Sequence, residues 1–532
     1  MRIANSTGVR RLTCVIGVAV ALWVVPAFVT AVEPLHERID ARIAAQFQGR
    51  RPAPLADDAE FLRRIWLDLA GVIPSTSEAR EFLANPSPDK RSRLVDRLLA
   101  APTYPRRMRE LFHVVLMERR GDNAAWDSYL QASFEANKPW DQLVREILFP
   151  DDKDPQRAGA GFFYTKRLEA YGQNPIDHPG LTRDVGRLFL GIDLQCAQCH
   201  DHLFIGDYKQ REFQGLYSVY LNVTAKGDQP VPAVIEKPLI KKLEFVSVFD
   251  STKQETGPRI PFGIELPIPE APAGSAPPAS ALALIARDLS RVDNDRFSRN
   301  IANRLWFLMM GRGLVHPLDL HHSDNPPSHP ELLDLLAREF ATHQFDIRWI
   351  LRELALSQTY QRSSRGDAET EPLPPESYLW GIEKRLSAEQ MLRSTLRATG
   401  DLERLEPPPG TAAAGEWKEL RSRFLTAYAN EPREAEVEYL ATVKGALFAL
   451  NDGKLLELVK RRPGNLLDRV ATLTAPTEIA DELYLTIFTR FPTDEERGEL
   501  QALLEKDPSR REQALSTLAW AMLSSIEFGI NH

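Results

Sequence analysis

"IRWILRELALSQTY", residues 347 to 360, sets Ile347, Ile350, Leu351, Leu354 and Ala355 along one line of an α-helix, with Arg348, Arg352 and Glu353 off that line. Apolar residues three and four apart form a stripe on a helix, whereas on a strand they would scatter over both faces. The same reading applies to "RLVDRLLAAPTY" (93 to 104), "WDQLVREIL" (140 to 148) and "HPELLDLLAREF" (329 to 340). Each is expected to be a helix with one face in the core. Start signals agree, because Ser75-x-x-Glu78, Ser328-x-x-Glu331 and Thr493-x-x-Glu496 have the spacing of capping boxes, in which hydroxyl and carboxylate each satisfy an orphan amide. The pattern predicts a mainly α protein.

The helical text is interrupted at residues 226–280, which are rich in proline, end in "PEAPAGSAPPAS" and contain one strand-like run, "LEFVSVF" (243 to 249). This interruption divides the chain into a helical domain at 32–225, a linker with minor β-structure, and a second helical domain at 281–532. A shorter break, "EPPPGTAAAG" (406 to 415), reads as a loop inside the second domain. Residues 71–104 and 489–528 echo one another: each runs proline, capping box, helix, Pro-Ser break, then an amphipathic helix.

Of the 532 residues 43% are hydrophobic and 26% charged, an ordinary globular composition with room for several cores. The formal charge of −8, with both signs mixed along the chain, provides no basic stripe for nucleic acid. The first 31 residues read as a signal peptide: Arg2, Arg10 and Arg11 precede an apolar run, and Val29-Thr30-Ala31 resembles a cleavage site. An exported protein of the periplasm or cell envelope is expected, held at a membrane only if this segment stays uncleaved. Cys14 would leave with it, so Cys196 and Cys199 would be the only cysteines of the mature chain.

Those two cysteines lie in "LQCAQCHDHLF" (194 to 204), with His200 directly behind the second. C-x-x-C-H is the spacing of c-type haem attachment, in which the two thiols add to the haem vinyl groups and the histidine becomes an axial iron ligand. Two other readings are open: a disulfide or thiol pair in an oxidising compartment, and a zinc site that uses Cys196, Cys199, His200 and His202 with ligands from elsewhere. Under the haem reading His202 is too close in sequence to reach across the ring, so a hydrogen bond, or a link to Asp201 or Asp207, is expected of it. His178, Met309 and Met310 are the candidates for a sixth ligand. A further group, His316, His321, His322 and His329 with Asp319 and Asp324, has enough donors for a metal but also the make-up of turn and cap chemistry. No nucleophile elbow, phosphate loop or H-E-x-x-H motif is present, so acid-base catalysis is not indicated.

Block by block, the chain resembles the planctomycete-type cytochrome-associated family, in which domain of unknown function fifteen forty-nine is followed by domain fifteen fifty-three. "FLRRIWLDLAGVIPSTSEAREFLA", "KPWDQLVREIL" and "RLFLGIDLQCAQCHDHLF" carry the first domain; "NRLWFLMMGRGLV", "NPPSHPELLDLLAREF", "KRLSAEQMLRSTLRATG", "RFPTDEE" and "LSSIEFGINH" carry the second. The resemblance implies one haem at Cys196, Cys199 and His200, serving electron transfer or redox sensing with an unidentified redox or envelope partner. The alternative is a non-redox envelope scaffold or binding protein with a structural disulfide or zinc at the same motif. Two positions depart from the family pattern: Leu203 stands where proline usually follows the second histidine, and "FLMM" (307 to 310) replaces the usual Gln-His.

Overall fold

The computed structural model describes residues 33–227, 231–268, 280–365, 374–406, 415–435 and 442–532; the expected signal peptide, most of "EPPPGTAAAG" and most of "PEAPAGSAPPAS" lie outside them. The first half is helical: α1 (Leu35–Ala44), α2 (Asp58–Leu69), α3 (Thr76–Ala84), α4 (Lys90–Ala100), α5 (Thr103–Met117), α6 (Ala124–Glu135), α7 (Trp140–Leu148), α8 (Phe162–Arg167), α9 (His178–Leu190) and α10 (Gln210–Tyr220). Four short strands follow, β1 (Val223–Ala225), β2 (Val234–Glu236), β3 (Leu243–Ser247) and β4 (Asp250–Thr256). The second half contains α11 (Ala281–Leu289), α12 (Asp295–Met310), α13 (Pro330–Thr342), α14 (Ile347–Leu356), α15 (Gln358–Gln361), β5 (Lys384–Arg385), α16 (Ala388–Thr399) and α17 (Leu402–Leu405). It continues with α18 (Gly415–Tyr428), α19 (Val443–Asn451), α20 (Gly453–Leu458), α21 (Leu466–Thr472), α22 (Pro476–Phe488), α23 (Asp494–Lys506), α24 (Arg511–Leu523) and β6 (Ile530–Asn531). The strands pair antiparallel, β1 with β2, β3 with β4 and β5 with β6. The protein is mainly α.

Local chemistry explains most boundaries. Asp346 caps α14 by accepting from the Trp349 amide, and the apolar stripe of that helix is buried as expected. At roughly 1.5–3 kcal/mol per buried large aliphatic side chain, the stripe rather than helix propensity holds the element in place. The Ser75 and Thr493 capping boxes form. The one expected at Ser328 does not: α13 is capped at His329, Pro330 occupies its first position, and the Ser328 amide is bonded to the Leu314 carbonyl at 2.8 Å. A third box forms instead at Ser387 with Gln390. "RLVDRLLAAPTY" is two elements, since α4 stops at Ala100 and α5 begins after Pro102.

One hydrophobic core runs through both halves. α1 packs on α13, α14 and α15, and α3 packs on α22. Asp40 of α1 accepts from the amides of Gln358 and Thr359 at 2.8 and 2.9 Å. Arg63 is buried in α2 and donates to the carbonyls of Ile487 at 3.1 Å and Phe528 at 2.7 Å; its neighbour Arg64 donates to those of Tyr360, Arg362 and His532. Asp68, one turn on, accepts from Lys384 at 2.7 Å, Asn531 at 2.8 Å and the Tyr360 hydroxyl at 2.9 Å. Buried charge is tolerable only where it is met this fully. The strand-like run 243–249 forms β3, and the β3–β4 hairpin lies against α10. Glu236 of β2 accepts from the hydroxyl of Ser280 and the amide of Leu282 at the start of α11.

Candidate functional site

α9 delivers the chain to the C-x-x-C-H motif. It ends at Gly191, whose φ of +69° and surroundings both require glycine: a Cβ there would meet His321 Cδ2 at 2.6 Å and Asn300 Oδ1 at 2.9 Å. Ile192 then bridges to Leu320, and Cys196–Gln198 forms a single 3₁₀ turn. Ala197 is fully buried and pins the turn down, while the thiols of Cys196 and Cys199 are free and exposed. Polar side chains from both flanking helices brace the loop. Arg183 of α9 donates to Gln198 Oε1 at 2.8 Å, and Gln214 of α10 donates to the Gln198 carbonyl at 2.8 Å. From the hairpin, the Val248 amide donates to the Cys199 carbonyl at 3.1 Å, and Gln210 of α10 ties the hairpin back through the Val246 carbonyl.

His200 lies beside the thiols with Nδ1 2.6 Å from the Asp201 carbonyl. A carbonyl can only accept, so the bond places the ring proton on Nδ1 and leaves the Nε2 lone pair available to a metal or a proton. The ring packs 4.8 Å, centroid to centroid, from Phe249 at the tip of the hairpin. Around the motif large apolar side chains face solvent, with Phe204 86% and Phe249 70% exposed, accompanied by Leu203 and Val248. Large apolar side chains exposed near one another are uncommon on a surface and are often found at interaction sites.

His202 makes hydrogen bonds, though with neither Asp201 nor Asp207. Its Nδ1 accepts from the amides of Phe204 and Ile205, at 3.2 and 2.9 Å, and so shapes the following turn. Asp201 accepts from the Gln210 amide at 2.9 Å and pairs with Lys209. Asp207 binds Ser323 of the second half through both amide and hydroxyl, at 2.8 and 3.1 Å. The loop that carries Ser323 is fastened to the motif's flanks, with the His321 amide on the Gly191 carbonyl at 2.9 Å and the Tyr208 hydroxyl on the His321 carbonyl at 3.3 Å.

The sixth-ligand candidates are engaged elsewhere. His178 begins α9 and its Nε2 bonds the Val223 carbonyl at 2.8 Å; Met309 and Met310 are buried core residues of α12. The second histidine group is dispersed. Asp319 is paired with Arg187 at 3.2 Å and with Arg304. Burial, aided by the nearby Arg304 charge, lowers the His321 pKa to about 3, and burial lowers that of His329 to about 4. Among the described residues no three His, Cys, Asp or Glu side chains are gathered as a metal site, and Cys196, Cys199, His200 and His202 are no exception. Among these residues, too, no helix is long and apolar enough to cross a membrane. The C-x-x-C-H spacing singles out Cys196, Cys199 and His200, whereas nothing in the sequence singles out Arg183, Gln198, Gln210 and Gln214, whose contacts depend on how α9 and α10 pack.

Residues 38–225 match the model of PSCyt2, a protein of unknown function (DUF1549), and residues 283–432 match that of PSD1, a protein of unknown function (DUF1553). No curated protein and no solved structure matches the chain.

Proposed function

For a chain that belongs to the family in which DUF1549 is followed by DUF1553, we propose that Cys196 and Cys199 attach one c-type haem, with His200 as an axial ligand, in an exported protein that transfers or senses electrons. One observation carries the reading. Two exposed thiols share a 3₁₀ turn, and the adjacent imidazole is held in the tautomer that leaves Nε2 open. When bound, such a group supplies a one-electron couple, and its potential depends on axial ligation and exposure. The chain's own part is positional. Arg183, Gln210 and Gln214 fix the loop, the Asp201 carbonyl holds the His200 proton, and Leu203, Phe204, Val248 and Phe249 offer an apolar surface to a macrocycle. Export fits the same chemistry, and the mature chain is expected to begin near Val32.

Expression with haem-attachment machinery, followed by denaturing electrophoresis and peroxidase staining, tests the reading. Wild-type protein should give a stained band, and the double variant Cys196→Ala, Cys199→Ala should give none. An unstained wild-type band overturns the proposal. Thiol titration and metal analysis on that sample would then show whether the scaffold alternative holds a disulfide or zinc at the motif.

A further inference from the structure

A cavity of about 400 Å³, an ordinary size for a small-molecule site, lies where α5, α7 and α9 of the first half face α12 and the β5–β6 pair of the second. α5 lines it with Arg107, Leu111 and Val115, which are four residues apart and so in line on one face of the helix. α12 adds Phe307 and Leu308. The wall along α5 is therefore an apolar strip with one guanidinium at its end.

Among the described residues of the lining five are basic and three acidic. Four of the bases are accounted for. Lys384 pairs with Asp68 at 2.7 Å and also donates to the carbonyls of Leu308 and Met309, each at 2.9 Å. Arg187 pairs with Glu118, Arg304 pairs with Asp319, and Arg385, like Glu383, is exposed. Arg107 is left over. It is 8% exposed, and its guanidinium makes one long bond, from Nε to the Asp68 carbonyl at 3.5 Å; among the described residues no carboxylate is within ion-pair distance of it. Its two Nη groups make no bond and keep accessible surface, whereas Asn531 Oδ1 and Trp140 Nε1, also unpaired, have almost none and are out of a ligand's reach. A buried cation without a counter-ion costs free energy, and native proteins keep few without a purpose.

We propose that this cavity binds a small monocarboxylate with an apolar body. The carboxylate pairs with the Nη groups of Arg107, a fork of donors that matches two oxygens, and the body lies along Leu111, Val115 and Leu308. One unpaired cation calls for one negative charge. A second carboxylate would find no unpaired buried cation among the described lining residues, and a phosphate monoester, with nearly two charges at neutral pH, is disfavoured on the same ground. The site is independent of the haem reading.

The test is titration calorimetry of the full chain with hydrocinnamate, with its neutral amide and with acetate. Hydrocinnamate should bind. The amide, which lacks the charge, and acetate, which lacks the apolar body, should each bind at least about 10-fold more weakly. Arg107→Met keeps a stem on the helix and removes the charge, so it should bind acid and amide alike; a purely structural role for Arg107 would weaken both and leave their ratio unchanged. Arg107→Gln supplies the same comparison if the methionine variant does not fold. The proposal is overturned if wild type fails to bind hydrocinnamate, if it binds the amide or acetate as tightly, or if the preference for acid over amide survives the loss of Arg107.

Discussion

His329 is buried against Tyr378, 5.6 Å between ring centroids, with Nδ1 3.2 Å from the Ser328 hydroxyl and no partner for Nε2. Burial holds its pKa at about 4, so the folded protein carries it neutral. The unfolded chain takes up that proton near pH 6.5. Between about pH 6.5 and 4 the unfolded state therefore binds more protons, and stability falls as pH falls through that window. His329→Phe removes the effect and keeps an aromatic ring in place, one ring atom larger. Urea denaturation should find the variant within about 1 kcal/mol of wild type at pH 7, and about 2 kcal/mol better relative to wild type at pH 5. Parallel pH profiles would contradict this. Glu353 shows what periodicity misses at the same scale. It stands with the charged face of its helix in the sequence, yet it is buried, because His36 bonds it through ring and amide at 2.8 and 3.1 Å from 317 residues away.

At the scale of elements, the contrast between caps is testable. Ser75 accepts from the Glu78 amide while Glu78 accepts from the Ser75 amide, whereas Ser328 has the same sequence spacing and no such bonds. Glu78→Ala should cost about 1 kcal/mol and Glu331→Ala, which loses only an exposed pair with Arg42, less than half of that, measured as shifts in urea midpoint at constant slope. Equal costs would mean that the exchange at Ser75 contributes nothing. Helices and the β3 strand were legible because periodicity and local caps are written within a dozen residues. Ser328 misled because Pro330, already suited to the first helical turn, moved the cap one residue on. At the candidate site, Cys196, Cys199 and His200 were legible from spacing alone. Their bracing was not, since the side chains of Arg183 and Gln214 reach the Gln198 loop only after α9 and α10 have packed.

On the scale of the whole molecule, α2 is the joint. Arg63, 1% exposed, has its pKa lowered to about 10 by burial, remains charged at neutral pH, and is met by backbone carbonyls of the second half. Arg63→Ala strands those carbonyls and should cost about 3–5 kcal/mol. In calorimetry the variant should melt as one transition at lower temperature, because the core it crosses is continuous. Two transitions, one unshifted, would show that the halves unfold separately. In "FLRRIWLDLAG" the two arginines look like an ordinary polar face; only their partners, up to 468 residues away, reveal otherwise. That separation also has a meaning in time. At a ribosomal rate of about 5–20 residues per second, α2 would wait roughly half a minute to a minute and a half before residues 528–532 have been made. During that interval its arginines and Asp68 lack several of the groups that make their burial tolerable, so the interior cannot close early. The order of the chain's own synthesis imposes that delay.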